Sequence, residues 1–470
     1  MTATTIPLEK IVLLHTPVFT VAIQSTLRTL SLEAHGFVLI RDGPKYHRFM
    51  EPRVQSELGR LREVIIHHPG GELDQMTPDN IEAYRIAPNG QIEANPDYLL
   101  FDDLVLLSRL RAEHSQINRV LQATCGEAGT HQLRDLIRTV LHDTTARERV
   151  IDAVVEQERR IWKRPVTAET RQTLLSLDPH NLLRALVKGT FGDGGPALTW
   201  PVPNLMFARD LGVIVGKNVL LTYARKPARA REMLLARALF RFHSQFADSP
   251  LLDVANTVAS PALEGGDVLV LSADHVAIGL SERTTEQSAR AAAALLLKAG
   301  VSHVYLVAIQ AARSTMHLDT VFTLVNHEQC LVFTPLMQAA GATTITSLDA
   351  GGDHKRVGTL LEVLRKDGIE LEAIPCGGSN PIDQAREQWS DGANAFALAP
   401  GVILLYGRNE HTLKQLNAAG YEVMTPDAYC RNATLVLTDP TRKAVIAIDG
   451  SELSRGRGGP RCLTLPLRRD

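Results

Sequence analysis

Much of the chain is a succession of short, apolar, β-rich runs that alternate with helical stretches. Examples of the runs are VIVGKNVLLTYA (213–224), VSHVYLVAI (301–309) and VILLYG (402–407), whereas EQSARAAAALLLKAG (286–300) has a helical composition. Apolar runs of this length, interrupted by glycine and other turn residues, predict strands of only a few residues. The pattern therefore favours an α/β protein built from several small β/α modules over one long parallel sheet.

A second region, from about residue 101 to 190, has a different character. Its stretches LVLLSRLRAEHSQINRVLQAT (104–124) and RERVIDAVVEQERRIW (147–162) carry apolar residues at three- and four-residue spacing, which predicts amphipathic helices. The glycine-rich FGDGGPA (191–197) ends this region. We expect three parts: an N-terminal extension of unknown role at 1–55, a catalytic domain formed by 56–109 and 196–470, and an inserted helical domain at 110–195.

Composition excludes several classes of protein. The 470 residues are 44% hydrophobic, enough for a substantial core, and 50 basic residues against 52 acidic ones give a net charge of −2. Nucleic-acid-binding proteins usually show a net basic surface, so a nucleic acid is not an expected partner. No apolar run reaches membrane-spanning length, and no membrane partner is expected. The five cysteines are scattered, without zinc-site spacing, which favours free thiols in the cytoplasm.

The N-terminal extension contains the apolar runs IVLL (11–14) and FTVAI (19–23), interrupted by polar residues. Glu9 and Lys10 directly precede the first run, which is a poor start for a signal peptide. Runs this apolar are too short to span a bilayer and poorly suited to a solvated tail. We expect the extension to pack on the outside of the catalytic domain or at a subunit contact.

Polar side chains cluster at the starts of several β-rich runs. NLMFARD (204–210) precedes one run, LEGGDVLVL (263–271) opens another with Glu264 and Asp267, and GLSERT (279–284) follows with Arg283. Each stretch taken alone also fits a tight turn with a capping side chain. Only their combination points to a site.

A histidine and a cysteine complete the set of reactive residues. In MHLDT (316–320), His317 and Asp319 are two residues apart, so they share one face of an extended segment, which suits acid–base chemistry. Near the end of the chain, Cys462 lies between arginines in RGRGGPRC (455–462), and cationic neighbours lower the pKa of a thiol. The competing interpretations are a histidine buried for packing and an incidental cysteine in an exposed tail.

These groups suggest a ligand. Carboxylates bind a guanidinium in a planar, bidentate manner, and arginines bind a carboxylate. Arginine carries both a guanidinium and a carboxylate. A cysteine thiolate can attack the central carbon of the guanidinium while a histidine transfers protons.

At this point the sequence resembles the arginine deiminases, within the guanidine-modifying (pentein) superfamily, from about Ser56 to the end. The resemblance implies a pentein fold, a five-bladed β/α propeller with pseudo-fivefold symmetry and an inserted α-helical bundle. It also implies hydrolysis of L-arginine to L-citrulline and ammonia through a covalent Cys-thiouronium intermediate, without a metal or an organic cofactor. The motifs that carry it include SELGRLREVIIHHPGGELDQMTP, YLLFDDLVLLSRLRAEH, PNLMFARD, PARARE, LEGGDVLVL, GLSERT, HLDTVFTLV, GGSNPIDQAREQWSDGAN, APGVILLYGRNEHT and RGRGGPRCLTLPL.

The resemblance implies a role for each residue that matches a family motif. Cys462 is similar to the nucleophile, and His317 resembles the general acid and base. Asp210 and Asp319 resemble the carboxylates that bind the guanidinium, and Glu264 resembles the acid that supports His317 and the substrate.

Five further residues match the family's substrate-binding positions. Arg229 and Arg283 resemble ligands of the substrate α-carboxylate. Asn204 and Arg457 resemble residues that hold the amino-acid end, and Phe207 resembles a packing residue beside them. We interpret the acids of FDD (101–103) and the charged and aromatic side chains of REQW (386–389) as structural.

The chain also departs from the family pattern. Leu463 follows the cysteine where the family often has methionine, and His68 precedes Pro69 where the family often has arginine. Two alternatives stay open: an amidinotransferase that uses an amine acceptor, and a catalytically silent arginine-binding protein. We expect a homo-oligomer, either a dimer or a tetramer.

Overall fold

A computed structural model of the protein describes residues 51–470 and the backbone of two N-terminal strands, Val12–Thr16 and Phe19–Ile23, which pair as an antiparallel hairpin. The chain divides into two compact units, residues 1–48 and 49–470. The expected packing of the N-terminal extension concerns residues that lie almost entirely outside the described part. Its last residues are described: the Arg53 amide donates to the Leu467 carbonyl, and Val54 pairs with Gly216. They therefore join the larger unit.

Five sheets of the larger unit share one plan, in which an antiparallel pair is followed by a parallel strand. This arrangement confirms a mixed α/β fold of small modules. With the strands of each sheet given in their spatial order, the five sheets are Leu465–Arg469, Leu61–Ile66 and Thr130–Gln132; Gly212–Val215, Asn218–Leu221 and Leu251–Leu252; Val268–Val270, His275–Leu280, His303–Ala308, Thr344–Asp349 and Gly352–Arg356; Phe322–Asn326, Gln329–Val332 and Glu372–Pro375; and Phe396–Ala399, Val402–Tyr406, Ala444–Ile448 and Glu422–Met424. A separate hairpin joins Tyr84–Ile86 to Ile92–Ala94.

Helices connect and cover these sheets, and their ends follow from local chemistry. The helix Glu286–Lys298 begins where the Thr285 side chain accepts a hydrogen bond from the Ser288 amide, and it buries a stripe that includes Ala289 and Leu296. None of the helices in the described part of the chain is long and apolar enough to cross a membrane. The α-helices are Pro78–Ile81, Leu107–Cys125, Leu133–His142, Thr144–Gln157, Ala168–Ser176, Pro179–Lys188, Ala230–Phe242, Glu286–Lys298, Thr334–Met337, Leu360–Lys366, Pro381–Trp389, Glu410–Ala418 and Pro426–Thr438.

The structure bears on where the helical insertion begins. The helix Leu107–Cys125 leads into the strand Thr130–Gln132, which pairs in parallel with Leu61–Ile66. This helix is therefore the crossover of the first β/α module. We propose that the insertion starts at Leu133 rather than at residue 110. The four helices from Leu133–His142 to Pro179–Lys188 come after the strand Thr130–Gln132 and are not part of this crossover. Helical periodicity alone cannot show which helix belongs to a sheet.

Candidate active site

The candidate site is assembled from five short segments, one from each of the five sheets. Each segment lies directly before the end strand of an antiparallel pair, so equivalent positions of the sheets supply the polar side chains. Three of the segments contain 3-10 turns, Ala208–Leu211, Gly265–Asp267 and Leu318–Thr320, and each turn places an aspartate just ahead of a buried strand. In chain order the segments supply Asp210, Glu264, His317 with Asp319, Asn394, and Cys462.

Glycine at two positions allows these segments to approach one another. A β-carbon at Gly266 would lie 2.6 Å from Nδ1 of His317, and one at Gly265 would lie 2.1 Å from the carbonyl oxygen of Arg209. Neither glycine needs an unusual backbone conformation. The glycine pair of LEGGD is therefore explained by close packing under the site.

Eight of the ten predicted site residues line one small cavity of about 10 Å³. Glu264 and Asp319 lie just behind its wall, in contact with His317 and Cys462 respectively. Larger clefts, of about 540 and 440 Å³, lie beside Trp389, but they contain neither the thiol nor the imidazole. We place the chemistry in the small cavity, whose lining is Leu100, Asn204, Phe207, Asp210, Arg229, Arg283, Arg313, Met316, His317, Gly456, Arg457 and Cys462.

The His317 imidazole is held between acidic groups. Its Nε2 lies 3.0 Å from Oε2 of Glu264, and its Nδ1 lies 3.8 Å from Oδ1 of Asp210. Burial alone would lower the pKa of His317, but Asp210, Glu264 and Asp267 outweigh burial and raise this pKa to about 9. The ring is therefore an imidazolium at neutral pH, ready to donate a proton.

Arg229 is surrounded by acceptors. Its Nη1 donates to Asp210 and lies 3.4 Å from Oε2 of Glu264, and its Nε donates to Oε2 of Glu232 at 2.9 Å. Its Nη2 reaches the carbonyl oxygens of Asn204 and Phe207. All three nitrogens are thus occupied, so this guanidinium holds the carboxylates in place.

Arg283 and Arg457 differ from Arg229 in having nitrogens without hydrogen bonds. The Nη1 of Arg283 lies 3.4 Å from Glu264, while its Nε lies 3.7 Å from Oε2 of Glu282 and makes no hydrogen bond within the described part of the chain. Arg457 is buried with a left-handed backbone, and its guanidinium carbon lies 3.5 Å from the ring centroid of Trp389. Its three nitrogens make no hydrogen bond with any residue that the structure describes. Both guanidiniums can therefore donate hydrogen bonds to an anionic group bound in the cavity.

The Cys462 thiol lies beside Asp319, one of the two carboxylates predicted to bind the guanidinium. Its Sγ is 3.7 Å from Oδ2 of Asp319, and its amide donates to Oδ1 of Asn394 at 3.1 Å. Burial raises the pKa of this thiol well above its ordinary value, and the carboxylates of Asp319 and Asp210 raise it further. The thiol is therefore protonated at neutral pH.

Several residues that contact the site were absent from the sequence prediction. Asn394 anchors the cysteine backbone, Arg313 lines the cavity, and Arg461 donates to Asp319 at 2.7 Å. The position of Arg461 next to the cysteine was a usable signal. Glu57, which binds Arg461, lies in the motif SELGRLREVIIHHPGGELDQMTP, but this motif did not indicate the contact because the two residues are distant in sequence.

A cation could bind to only one group of acids and imidazoles in the described region. The ligand atoms of Asp210, Glu264 and His317 lie within 4.8 Å of one another. The guanidinium of Arg229 already contacts both carboxylates. The arrangement is thus an ion-pair network around an arginine side chain.

The fold and the site together define a class: a mixed α/β protein with a cysteine, a histidine and several carboxylates around one small buried cavity. A family model described as arginine deiminase matches residues 97–469. The chain is 33% identical over 441 residues to an arginine deiminase of Mycobacterium avium, covering 90% of this chain and 99% of that protein. It is 30% identical over 444 residues to an arginine deiminase of Listeria monocytogenes, covering 89% and 97%. The chain belongs to the arginine deiminase family, whose activity is hydrolysis of L-arginine to L-citrulline and ammonia.

Two solved structures are more distant. Dimethylarginine dimethylaminohydrolase from Pseudomonas aeruginosa, in a mutant complexed with citrulline, is 15% identical, with a TM-score of 0.43 and coverage of 86% of this chain and 99% of that one. The N-terminal domain of ArgZ, an arginine dihydrolase from cyanobacteria, is 18% identical, with a TM-score of 0.39 and coverage of 58% and 78%.

Proposed function

We propose that this chain hydrolyses L-arginine to L-citrulline and ammonia through a covalent intermediate on Cys462. The observation that supports this most strongly is the lining of one small cavity by the Cys462 thiol, the His317 imidazole and the Asp210 carboxylate. A nucleophile, a proton donor and an anionic ligand for a guanidinium are thereby available to one substrate.

Binding uses charge at both ends of the substrate. Asp210 and Asp319 hold the guanidinium, and Oδ1 of Asp319 is buried without a hydrogen-bond partner in the described region, so it is available as an acceptor. Arg283 binds the substrate carboxylate, and its Nε, which makes no hydrogen bond within the described region, is available as a donor. Arg229 contributes mainly by fixing Asp210 and Glu264, since its own donors are occupied. Asn204, Phe207 and Arg457 complete the wall around the amino-acid end.

The substrate itself promotes formation of the nucleophile. A guanidinium between Asp210 and Asp319 places positive charge beside Sγ, which lowers the pKa of the Cys462 thiol so that its proton is released to solvent. The resulting thiolate attacks the guanidinium carbon to give a tetrahedral adduct. His317 then donates its proton to the departing ammonia, leaving a thiouronium.

Hydrolysis completes the cycle. The neutral His317 takes a proton from water as the water attacks the thiouronium carbon. The second tetrahedral adduct then collapses: the Cys462 sulfur leaves and takes up the proton of the adduct hydroxyl, which restores the thiol and releases citrulline. Glu264, whose pKa is held well below its usual range by Arg283, His317 and Arg229 despite burial, supports the imidazolium in both steps.

We also propose that the larger unit is a five-bladed propeller with pseudo-fivefold symmetry. Two observations support it: five sheets share one strand plan, and each supplies a site residue from the equivalent segment. The insertion proposed above lies outside this repeat. A homo-oligomeric state and a cytoplasmic location stay predictions.

One assay tests the reaction against both alternatives. The purified protein is incubated with arginine, with and without glycine as an amine acceptor, and the products are identified. Citrulline and ammonia in both samples are the expected result. Ornithine with an amidino-glycine product only when glycine is present would instead show amidino transfer. Bound arginine without any product would show a silent binding protein.

A further inference from the structure

A chain of buried charged groups extends away from the thiol. Arg461 is almost completely buried, and its Nη1 donates to Oδ2 of Asp319 at 2.7 Å. On its other side, Nε and Nη2 donate to the two carboxylate oxygens of Glu57 at 3.2 and 3.0 Å. A fourth bond joins Nη2 to the carbonyl oxygen of Val268 at 2.9 Å. Arg461 is thus clamped in a single orientation.

Glu57 is fixed as firmly as the arginine that it binds. Its amide donates to the Val270 carbonyl at 2.8 Å, and its side chain lies next to the Val270 amide. Arg209 is a second buried cation, 3.9 Å from the same carboxylate. Burial would raise the pKa of Glu57, but Arg461 and Arg209 outweigh burial and lower it to about 2. The acid is therefore charged at neutral pH.

We propose that Arg461, held by Glu57, is a positioning residue for the reaction: it fixes the rotation of Asp319 and offsets its negative charge beside the Cys462 thiol. This inference depends on the proposed function, in which Asp319 binds the guanidinium. Oδ2 of Asp319 both receives the Arg461 hydrogen bond and faces Sγ of Cys462 at 3.7 Å. The other oxygen, Oδ1, is left for the substrate.

Burial of Arg461, Glu57 and Asp319 has a cost in free energy that only well-matched pairing can offset. Removing an arginine and two carboxylates from water is expensive unless every charge is paired and hydrogen-bonded. A hydrophobic side chain at residue 461 would fill the same space without holding Asp319. Packing alone therefore does not require a charged side chain at residue 461, whereas holding Asp319 beside the nucleophile does.

Arg461 acts among several charged and titratable groups that face the thiol from other segments. Asp319, Asp210 and Asp391 oppose ionisation of the thiol, whereas Arg461 favours it. Arg209 adds a second positive charge, and the Tyr406 hydroxyl lies within electrostatic range. The thiol's ionisation is therefore sensitive to the loss of a single charge. The cavity also presents His317, Arg229, Arg283, Arg313 and Arg457.

The test measures the thiol directly, without substrate. The rate of alkylation of Cys462 by iodoacetamide is followed against pH by peptide mass mapping in the wild type, Arg461→Met and Arg461→Lys. Arg461→Met should move the alkylation midpoint upward by about one pH unit or more. Arg461→Lys keeps the charge and should move it less. Turnover of arginine by Arg461→Met should fall at least about tenfold, because Asp319 is no longer oriented.

Arg461→Met leaves the buried Glu57 carboxylate without the arginine that it binds, which destabilises the fold. The double variant Glu57→Gln with Arg461→Met is therefore measured as well, to separate an effect on folding from an effect on function. It should fold better than Arg461→Met and still show the raised alkylation midpoint. The matched control is Arg231→Met, which removes another buried arginine, paired with Glu158 at 3.0 Å, outside the cavity. It should lose stability without moving the midpoint.

The results separate this inference from the proposed function. A folded Arg461→Met or double variant with the wild-type midpoint and wild-type turnover would overturn the positioning role. Absence of turnover in the wild type would instead overturn the proposed function, while the alkylation profiles would still report on Arg461.

Discussion

At the scale of single residues, the site is a balance of buried charges rather than a set of independent groups. His317 holds a proton because three carboxylates surround it, and Cys462 keeps its proton because it is buried and the carboxylates of Asp319 and Asp210 face it. A cationic substrate changes this balance, since it neutralises acids that otherwise oppose the thiolate. The same charges thereby select the substrate and prepare the nucleophile.

The two arginines predicted to bind the substrate carboxylate should behave differently. Arg283→Ala should weaken binding of arginine more than binding of agmatine, which lacks the carboxylate. Loss of a charge-assisted bond costs about 1.5–3 kcal/mol, or roughly ten- to a hundredfold in affinity. Arg229→Ala should weaken both ligands, because Asp210 and Glu264 lose their partner. Isothermal titration with each ligand checks this, and equal losses for both ligands in Arg283→Ala would remove Arg283 from the carboxylate site.

The raised pKa of His317 also predicts how stability depends on pH. The folded protein holds this proton up to about pH 9, whereas the unfolded chain releases it near 6.5. The stabilisation is complete below pH 6.5 and is lost as the pH rises through about 9. It amounts to about 3 kcal/mol at most. Urea unfolding across this range should show a shallower decline for His317→Asn than for the wild type; identical slopes would contradict the assigned pKa.

At the scale of elements, the site depends on turns whose backbone is fixed by distant side chains. The helix Leu107–Cys125 supplies Glu113, a buried acid whose carboxylate accepts from the amides of Ser451, Glu452 and Leu453. These amides begin the turn Leu453–Gly456, which leads to Arg457 and then to the nucleophile. Glu113 therefore links this helix by hydrogen bonds to the segment that leads to the nucleophile.

Removal of that anchor should disturb both stability and binding. Glu113→Ala leaves three backbone amides without their charged acceptor, which should lower the free energy of unfolding by about 3 kcal/mol. It should also raise KM for arginine, because Arg457 follows the released turn. Denaturant unfolding and steady-state kinetics measure the two effects. Ser108→Ala, on the exposed face of the same helix, should change neither; an unaltered KM in Glu113→Ala would show that the turn is held by other contacts.

The sequence predicted those parts of the fold and the site that depend on a local pattern of residues. The short runs predicted strands, and the motifs around Asp210, Glu264 and His317 predicted polar turns just ahead of them. Long-range pairing was not predictable in this way. Glu57 meets Arg461 across most of the chain, and the helix from Leu107 belongs to a sheet that only strand register reveals. The full engagement of Arg229 by carboxylates likewise depends on geometry between segments.

At the scale of the whole molecule, every predicted site residue lies in the unit formed by residues 49–470. The backbone of this unit begins to pair at Arg53, and its terminal strand Leu465–Arg469 lies against Leu61–Ile66. The two ends of the larger unit are thus joined in one sheet. The N-terminal extension contributes none of the predicted site residues.

A truncation distinguishes the extension from the catalytic unit. A chain that starts at Glu51 should hydrolyse arginine at the wild-type rate per folded site, since it keeps the pairs at Arg53 and Val54. A chain that starts at Gly59 lacks Glu57 as well and should lose activity. Citrulline formation is measured after active sites are counted by alkylation of Cys462. A well-folded truncation at Glu51 without activity would show that the extension shapes the site.

The central claim is that Cys462 forms the covalent intermediate and that His317 is needed to resolve it. The direct measurement is acid-quenched mass spectrometry of His317→Ala incubated with arginine, followed by peptide mapping. Because His317 also protonates the departing ammonia, the account predicts an added mass of arginine, or of arginine less ammonia, on the peptide that contains Cys462, and no adduct in Cys462→Ala. Cys330 and Cys376 are buried thiols outside the cavity and serve as internal controls. An adduct on either of them, with Cys462 unmodified, would contradict the account.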